Sequence, residues 1–355
     1  MVKITRYKTT CFKYAPRTWQ VLAHEPGGIP VALRRRKALI LLLPVFLGAM
    51  FIACLRVSRT CNLIHANWSV NGLVAGMAGI ITGTPVITTL RGADVTKAEK
   101  SKLYEIILRL CLCLSKKLIA VSEAIYNQLA NDFPEHIDKL VFLPNGVDQS
   151  FLKISHCDKS IQSKNNSALQ ILTIGSLIPR KGIKDIIEAL GLIKEQGSTF
   201  EFKIIGAGAE EDNLKQLAIS SGISDQVHFL GNISPQEIPH HFAKADLFVL
   251  ASYSEGRPNV ILESLAAGVP VIATQIDGVI ELIKENITGL LFTPGDASNL
   301  AKQINRVKDD QAFRHELAQR GKELILGKGL LWPNVGVQYA EIYNQVILGN
   351  DKDRV

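Results

Sequence analysis

The stretch ADLFVLASYSEGRPNVILESLAAGVPVIAT, residues 245–274, decides the fold of this chain. It opens with a short apolar run that contains β-branched residues, which predicts a buried strand. Gly256, Pro258 and Asn259 interrupt that strand and begin a helix, which Gly268-Val269-Pro270 ends. VIAT then predicts the next parallel strand. Because doubly wound sheets bind ligands outside the carboxyl ends of their strands, we expect the turn between strand and helix to face a ligand.

Two carboxylates, Glu255 and Glu263, stand eight residues apart on this turn and helix. The backbone N–H groups of Asn259 and Val260 begin the helix, where a phosphate oxygen is readily bound. The spacing lets the two carboxylates reach different parts of one elongated ligand. A carboxylate that accepts hydrogen bonds from two vicinal hydroxyls suits a ribose or another sugar. The alternative is that both glutamates are solvated surface residues.

The pattern E-G-x-P-N-x-x-x-E followed by L-A-A-G-V-P-V-I-A-T resembles the signature of the family 4 glycosyltransferases, in which two glutamates are separated by seven residues. These are retaining enzymes of the GT-B fold. The resemblance implies an α/β chain with two Rossmann-like domains facing a cleft. It also implies that Glu255 faces the donor sugar and Glu263 the ribose. Gly256, Asn259 and Val260 then belong to the donor site.

The segment ALQILTIGSLIPRKGIKDIIEAL, residues 168–190, predicts a strand, a basic loop and an amphipathic helix. Arg180 and Lys181 precede Gly182 at the helix start, and two cations beside free backbone N–H groups suit a diphosphate. The resemblance implies that Lys181 holds the donor phosphates. The family often has an arginine where this chain has Ser176, and Arg180 is then expected to supply that charge. A solvated basic turn is the alternative.

Further turns of the same half also match the family. FEFKIIGAGAEEDNLKQLA, residues 200–218, predicts strand, glycine turn and helix, but it lacks the third glycine of a dinucleotide fingerprint. VHFLGNIS, residues 227–234, resembles the segment whose backbone lies against the nucleotide base. Glu281 is expected to be a helix-start carboxylate. The resemblance adds three positions to the donor site: Gly175, Gly231 and Ile233.

The first half matches less closely. CNLIHANWSVNGLVAGMAG, residues 61–79, predicts a strand that ends at His65, followed by a helix. Many relatives have a histidine near the reacting sugar where this chain has Arg91. Both His65 and Arg91 are candidates for contact with an acceptor or a phosphate, and a loop salt bridge between Arg91 and Asp94 is the alternative. Ser122 is predicted to cap the following helix.

A chain of 355 residues exceeds one ordinary core, so two domains are expected. We predict an N-terminal domain at 1–152, a polar linker at 153–168, a nucleotide-sugar domain at 169–330, and a last helix and tail at 331–355 that return to the first domain. No strand, glycine loop and helix unit is evident in the first 40 residues, where Gly27-Gly28 directly precede an apolar run. The N-domain is therefore expected to lack its first strand unit or units.

The apolar run ALILLLPVFLGAMFIACL, residues 38–55, is just long enough to span a bilayer. The competing interpretation, which the resemblance favours, is a buried or membrane-surface helix. Residues 1–150 hold 19 Lys and Arg against 9 Asp and Glu, although the whole chain is only +7. Such a basic half suits an acidic membrane surface, and no nucleic-acid motif accompanies it. We expect a cytoplasmic protein that is peripheral at the membrane.

The six cysteines show no zinc spacing, so no metal and no cofactor are expected. Together the patterns predict a retaining, metal-independent glycosyltransferase that moves a sugar from a nucleotide sugar to a hydroxyl of a lipid-linked or polysaccharide acceptor. Its partners are then a nucleotide sugar and a saccharide or lipid-linked acceptor. Two alternatives remain: a nucleotide-sugar epimerase of the GT-B fold, and a catalytically impaired remnant that still binds nucleotide.

Overall fold

A computed structural model describes residues 9, 11–22, 29, 32–33, 36–154 and 168–352, with the side chains of 350–352 excepted. Most of the linker predicted at 153–168, the Gly27-Gly28 pair and two of the basic residues before the apolar run lie outside the described residues. The chain divides into two compact units. One comprises residues up to Pro144 together with those from Val335 onward, and the other is Asn145–Asn334. Residues 145–152, assigned to the first domain from the sequence, fall in the second unit.

The first unit is built on a parallel sheet of four strands in the order β1-β2-β3-β4. Its strands are β1 (Ile64–Asn67), β2 (Val86–Leu90), β3 (Lys117–Ala120) and β4 (Leu140–Phe142). Its helices are α1 (Leu43–Ser58), α2 (Ser69–Thr82), α3 (Ala93–Lys100), α4 (Lys102–Leu114) and α5 (Glu123–Asp132), joined by residues of the last helix, α13 (Trp332–Lys352). Before Ile64 the described elements are helical, and β1 forms an edge of the sheet.

Alternating side chains of β2 divide the first unit into two layers, as the two-residue period of a strand requires. Val86 packs with Ala75 of α2, whereas Ile87 packs with Val335 and Ile342 of α13. The last helix therefore covers one face of this sheet and α2 the other. The predicted N-cap is confirmed, because the Ser122 hydroxyl accepts a hydrogen bond from the N–H of Ile125 at 3.3 Å.

The second unit has a parallel sheet of six strands in the order β10-β9-β8-β5-β6-β7. The chain builds β5, β6 and β7 outward in one direction, then returns to add β8, β9 and β10 on the other side. The strands are β5 (Leu169–Ile174), β6 (Phe200–Ile205), β7 (Val227–Gly231), β8 (Leu247–Leu250), β9 (Val271–Thr274) and β10 (Leu290–Phe292). This is the doubly wound Rossmann order, and its switch point lies between β5 and β8.

Helices cover both faces of the second sheet. They are α6 (Ile183–Glu195), α7 (Glu211–Ser220), α8 (Ile238–Lys244), α9 (Asn259–Ala267), α10 (Asp277–Ile280), α11 (Ala297–Asp309) and α12 (Gln311–Gly327). Neighbouring residues of β5 point into different cores. Ile171 joins the cluster that includes Ile187 of α6, and Leu172 joins the cluster that includes Leu265 of α9. Both faces are buried, so these strands read as continuous apolar runs.

Candidate active site

The loops after β5 and β8 lie against each other at the switch point of the second sheet. The β5 loop ends in a short 3₁₀ turn, Pro179–Lys181, followed by Gly182 in the left-handed region with φ +60°. A β-carbon on Gly182 would lie 2.0 Å from the carbonyl oxygen of Ala251, which follows β8. Only glycine permits both this conformation and this approach. The basic turn is thereby fixed directly beside the acidic turn.

The closest polar contact between these loops joins the two residues that the sequence singled out. The Lys181 ammonium lies 2.5 Å from Oε1 of Glu255, and the two side chains are 18% and 11% exposed. The Ser252 hydroxyl also donates to Oε1 of Glu255, at 2.7 Å. Two donors on one oxygen fix the orientation of the carboxylate.

Arg180 lies at the more open side of the same cluster. Its Nη1 donates to the carbonyl oxygen of Ser254 at 2.6 Å and lies 3.9 Å from Oε2 of Glu255. Its side chain is half exposed. The structure therefore brings Arg180, Lys181 and Glu255 together. Two cations and one shielded carboxylate leave the local cluster with net positive charge, which favours an anionic ligand.

Helix α9 begins immediately after this cluster. Its N-cap is Pro258, which supplies no side-chain cap, so the first N–H groups have no partner within the helix. The side chain of Asn259 accepts a hydrogen bond from Nδ2 of Asn145 at 2.9 Å. Val260 is partly buried against the neighbouring core. The start of α9 thus offers backbone donors and a positive dipole end at the same edge of the sheet as Lys181.

Glu263 lies one turn into α9 with a half-buried side chain. Burial alone raises the pKa of this carboxyl to about 7. A carboxyl shielded from water without a compensating cation gains from a ligand that brings hydrogen-bond donors. Glu263 is therefore suited to bind the hydroxyls of a ligand.

The remaining sequence-predicted donor positions are backbone positions of the neighbouring turns. Gly175 follows β5 and its N–H donates to Ile205 O at 2.9 Å, while the carbonyl of Gly231 accepts from the N–H of Gly206 at 2.8 Å. Gly206 has φ +138°, and a β-carbon there would lie 1.9 Å from the carbonyl oxygen of Gly175. Ile233 packs partly against the core. These contacts hold the turns after β5, β6 and β7 together.

An ion pair that the sequence did not reveal supports the same loop. Nη1 of Arg257 lies 3.0 Å from Oε2 of Glu281, and the two side chains are 4% and 11% exposed. Glu281 directly follows α10, so its predicted helix-start position is wrong: α10 is a single turn that ends at Ile280. The pair links the loop after β8 to the segment after β9. Arg257 lies within the quoted motif, but its partner is 24 residues away, beyond the reach of local patterns.

In the first unit, His65 is not the last residue of its strand, because β1 continues to Asn67. One ring nitrogen lies 2.6 Å from the Tyr343 hydroxyl and the other 2.7 Å from the Thr89 hydroxyl. Burial, reinforced by the charge of Arg91, lowers the pKa of His65 to about 4. A neutral ring with both nitrogens engaged is held firmly in place within this unit.

The guanidinium of Arg91 donates to Oδ1 of Asn67 at 2.8 and 3.0 Å, and not to Asp94. The carboxylate of Asp94 accepts instead from the backbone N–H groups of Arg91 and Ser69. The proposed loop salt bridge is therefore wrong. Arg91 keeps donors for a further anion at the carboxyl end of β2, because an arginine carries five N–H groups.

Two family models match the chain in sequence order. Residues 8–151 match the model described as Glycosyltransferase Family 4, and residues 158–324 match Glycosyl transferases group 1. An uncharacterised glycosyltransferase of Methanocaldococcus jannaschii, MJ1607, is 25% identical over 293 residues, covering 79% of this chain and 75% of the relative. The capsular polysaccharide biosynthesis glycosyltransferase CapM of Staphylococcus aureus is 22% identical over 293 residues, covering 76% and 73%.

Among solved structures, Anabaena HepE in complex with UDP and glucose superposes with a TM-score of 0.72 at 23% identity, covering 86% of this chain and 82% of HepE. The chain is a glycosyltransferase of the GT-B fold. It belongs to glycosyltransferase family 4, as the resemblance in its sequence predicted.

Proposed function

We propose that this enzyme is a retaining transferase that moves a sugar from a nucleotide sugar to a hydroxyl of a lipid-linked or saccharide acceptor. The observation that carries this proposal is the Lys181–Glu255 contact at the switch point of the second sheet. It sets a cation for phosphates directly beside a carboxylate for a sugar. A nucleotide sugar contains both groups in adjacent positions.

The leaving group of the reaction is the nucleoside diphosphate. As the glycosidic bond breaks, negative charge grows on the nucleoside diphosphate, and fixed donors at that point lower the barrier. Lys181, Arg180 and the N–H groups at the start of α9 are such donors. Arg180 is half exposed, and it can turn toward a phosphate by giving up its hydrogen bond to the carbonyl oxygen of Ser254. We propose that these groups supply the stabilisation without a metal ion.

The two glutamates bind the sugar and the nucleoside of the donor. Glu255 is held by Lys181 and Ser252, which leaves Oε2 as the atom to accept from a sugar hydroxyl. Glu263 accepts the ribose hydroxyls, whose donors favour its ionised form. The turn at Gly231 and Ile233 lies against the base. HepE, which shares this fold, binds UDP and glucose in its crystals, and this supports a nucleotide-sugar donor of the same kind.

The acceptor is assigned by weaker observations. CapM, the relative named for capsular polysaccharide biosynthesis, supports a saccharide acceptor. In the first unit, Arg91 offers charged donors that suit an acceptor hydroxyl or its phosphate. Both ring nitrogens of His65 are engaged by Tyr343 and Thr89, so His65 is left to shape the surroundings of Arg91. Glu255 and Glu263 are not a glycosidase pair, because hydrolases place both carboxylates at one bond.

The test is turnover of a panel of nucleotide sugars with and without saccharide and lipid-linked acceptors, with release of nucleoside diphosphate as the signal. The proposal predicts release that depends on an acceptor, and a product whose anomeric configuration, read by proton NMR, matches that of the donor. Inverted configuration would contradict the retaining mechanism. Release of free nucleotide with an altered sugar and no acceptor would indicate an epimerase instead. Binding of donor without any turnover would indicate an impaired remnant.

A further inference from the structure

The first unit carries an exposed apolar surface that the donor chemistry does not use. The segment Lys37–Ser58 has 22 residues, its most apolar stretch of 18 residues has a mean hydropathy of 2.7, and by length and composition it is apolar enough to cross a membrane. Its most apolar window has no buried residue. Leu41 and Ile40 are 77% and 59% exposed. The segment is therefore not a core helix, and many of its apolar side chains stay exposed in the described part of the unit.

This segment is not alone, because two neighbouring helices also expose large apolar side chains. Helix α2 contacts both α1 and α4 and so lies between them. Val86 and Leu90 point to the same face of β2; the first packs on α2 and the second joins the cluster of α4. The three helices thus cover one face of the sheet. The exposed apolar residues of these helices and of the 3₁₀ segment directly before α1 are here called the apolar face: Ile40, Leu41, Val45, Ile52, Met77, Ile80, Ile81, Leu103, Ile106 and Leu110.

Charge indicates what covers the apolar face. Between Glu25 and Asp94 the chain has no acidic residue over 68 positions, and its cations flank the apolar segment. Lys37 begins it, and Arg56 and Arg59 lie exposed at its end. On the apolar segment and α2 the exposed apolar side chains are bordered by cations without carboxylates, which matches a lipid surface with anionic headgroups. Helix α4 adds one exposed carboxylate, Glu105, which is paired with Arg109 at 3.0 Å. A protein partner or a second copy gives no comparable reason for the missing carboxylates.

The packing of α1 favours a helix that lies on the bilayer surface over one that crosses it. Phe46 contacts the rings of Phe12 and Tyr14, at centroid distances of 5.3 and 5.0 Å. At the other end, the carbonyl of Ser58 accepts a hydrogen bond from the Thr84 hydroxyl at 3.0 Å. The helix is therefore attached to its unit at both ends and cannot leave it to span a membrane without breaking these contacts.

We infer that the apolar face docks the first unit onto an anionic membrane, with the apolar side chains in the interfacial layer and the flanking arginines on the headgroups. The inference is independent of the proposed reaction, since it concerns where the chain rests and would hold for an inactive protein. It assigns the peripheral membrane contact expected from the sequence to a surface formed by three helices.

The experiment is cosedimentation of the full chain with vesicles of phosphatidylcholine alone or mixed with phosphatidylglycerol, at low and high salt. We expect binding to the mixed vesicles that weakens with salt. Ile80→Ser with Ile81→Ser should weaken it by more than about tenfold, because two isoleucines leave the lipid. Arg56→Ala with Arg59→Ala should weaken binding to the mixed vesicles only.

The matched control is Ile219→Ser with Leu326→Ser, which removes two similarly exposed apolar residues from the second unit. It should bind vesicles as the unaltered chain does, and circular dichroism checks that every variant is folded. Equal binding by the Ile80/Ile81 variant and the control would overturn the inference. So would a dimer in solution that only the Ile80/Ile81 substitutions dissociate, with no vesicle binding. Resistance of the cellular protein to alkaline carbonate would show a spanning helix and also contradict it.

Discussion

The ammonium of Lys181 and the carboxylate of Glu255 are joined at 2.5 Å across the switch point of the second sheet. Strands β5 and β8 are neighbours there although 74 residues separate the two side chains. The pair holds the glutamate in position before any ligand arrives. It also means that a ligand phosphate must compete with Glu255 for Lys181. Substitutions at this contact and at the buried groups around it should therefore have measurable effects.

Ser252→Ala should lower turnover while leaving nucleotide affinity nearly intact. The Ser252 hydroxyl donates to Oε1 of Glu255 at 2.7 Å and is fully buried, so it positions the carboxylate without meeting the phosphates. Hydrogen bonds to charged groups contribute roughly 1.5–3 kcal/mol, so kcat should fall by about tenfold or more. Thr173→Val is the matched control, because it removes a buried hydroxyl that donates to Val249 O at 2.8 Å. Equal kcat in both variants would contradict the positioning role.

Arg257→Ala should destabilise the fold strongly. It leaves the carboxylate of Glu281 shielded and without its 3.0 Å partner, and breaking a buried pair costs about 3–5 kcal/mol. Lys215→Ala serves as the control, because its pair with Glu211 is exposed and such pairs contribute about 0–1 kcal/mol. Urea unfolding of both variants gives the comparison. If Arg257→Ala lowers the free energy of unfolding no more than Lys215→Ala does, the Arg257–Glu281 pair does not hold the loop.

The free energy of unfolding should contain a pH-dependent contribution from Glu263. Burial raises the pKa of this carboxyl from its ordinary value near 4.5 to about 7, so the folded chain binds the proton more tightly than the unfolded chain. This contribution to stability is complete below pH 4.5 and is lost as the pH rises toward 7. Glu263→Gln keeps a neutral side chain throughout. The variant should therefore gain stability relative to the wild type between pH 5 and pH 8, and a constant difference would exclude the shift.

His65 also contributes to the pH dependence of the free energy of unfolding, with the opposite sign to Glu263. Its pKa is lowered to about 4, so the folded chain holds the ring neutral while the unfolded chain protonates near pH 6.5. Stability from this residue is present above pH 6.5 and is lost as the pH falls toward 4. Between pH 7 and pH 5 the loss should be roughly 1–2 kcal/mol. His65→Gln should remove that loss in urea titrations, and an unchanged pH dependence would refute the assignment.

Residues that end strands and cap helices made the central motif predictable. Pro258 and Gly268 bound α9 in sequence as they do in the structure, because turns and caps depend on nearby residues. The sheet order also follows from the family resemblance. The contacts between side chains could not be predicted from the sequence, because they depend on which strands become neighbours.

Two segments show this limit. Glu281 was expected to start a helix, but α10 is a single turn, too short for a hydrophobic period to define its bounds. The apolar run at 38–55 was expected to form a buried or membrane-surface helix, and hydropathy alone does not specify what covers a helix. Only the packing of α1, α2 and α4 showed that these apolar side chains stay exposed.

The most direct test of the account is calorimetric titration of a nucleoside diphosphate and its nucleotide sugar against the wild type and three variants. The ligand pair is first chosen from a panel by thermal stabilisation. Lys181→Ala and Glu263→Ala should each lower the affinity for both ligands by about ten- to a hundredfold, because each loses charge-assisted hydrogen bonds. Glu255→Ala should spare the bare nucleoside diphosphate and weaken only the nucleotide sugar. Equal affinity of all four proteins for both ligands would contradict the proposal that this switch point is the donor site.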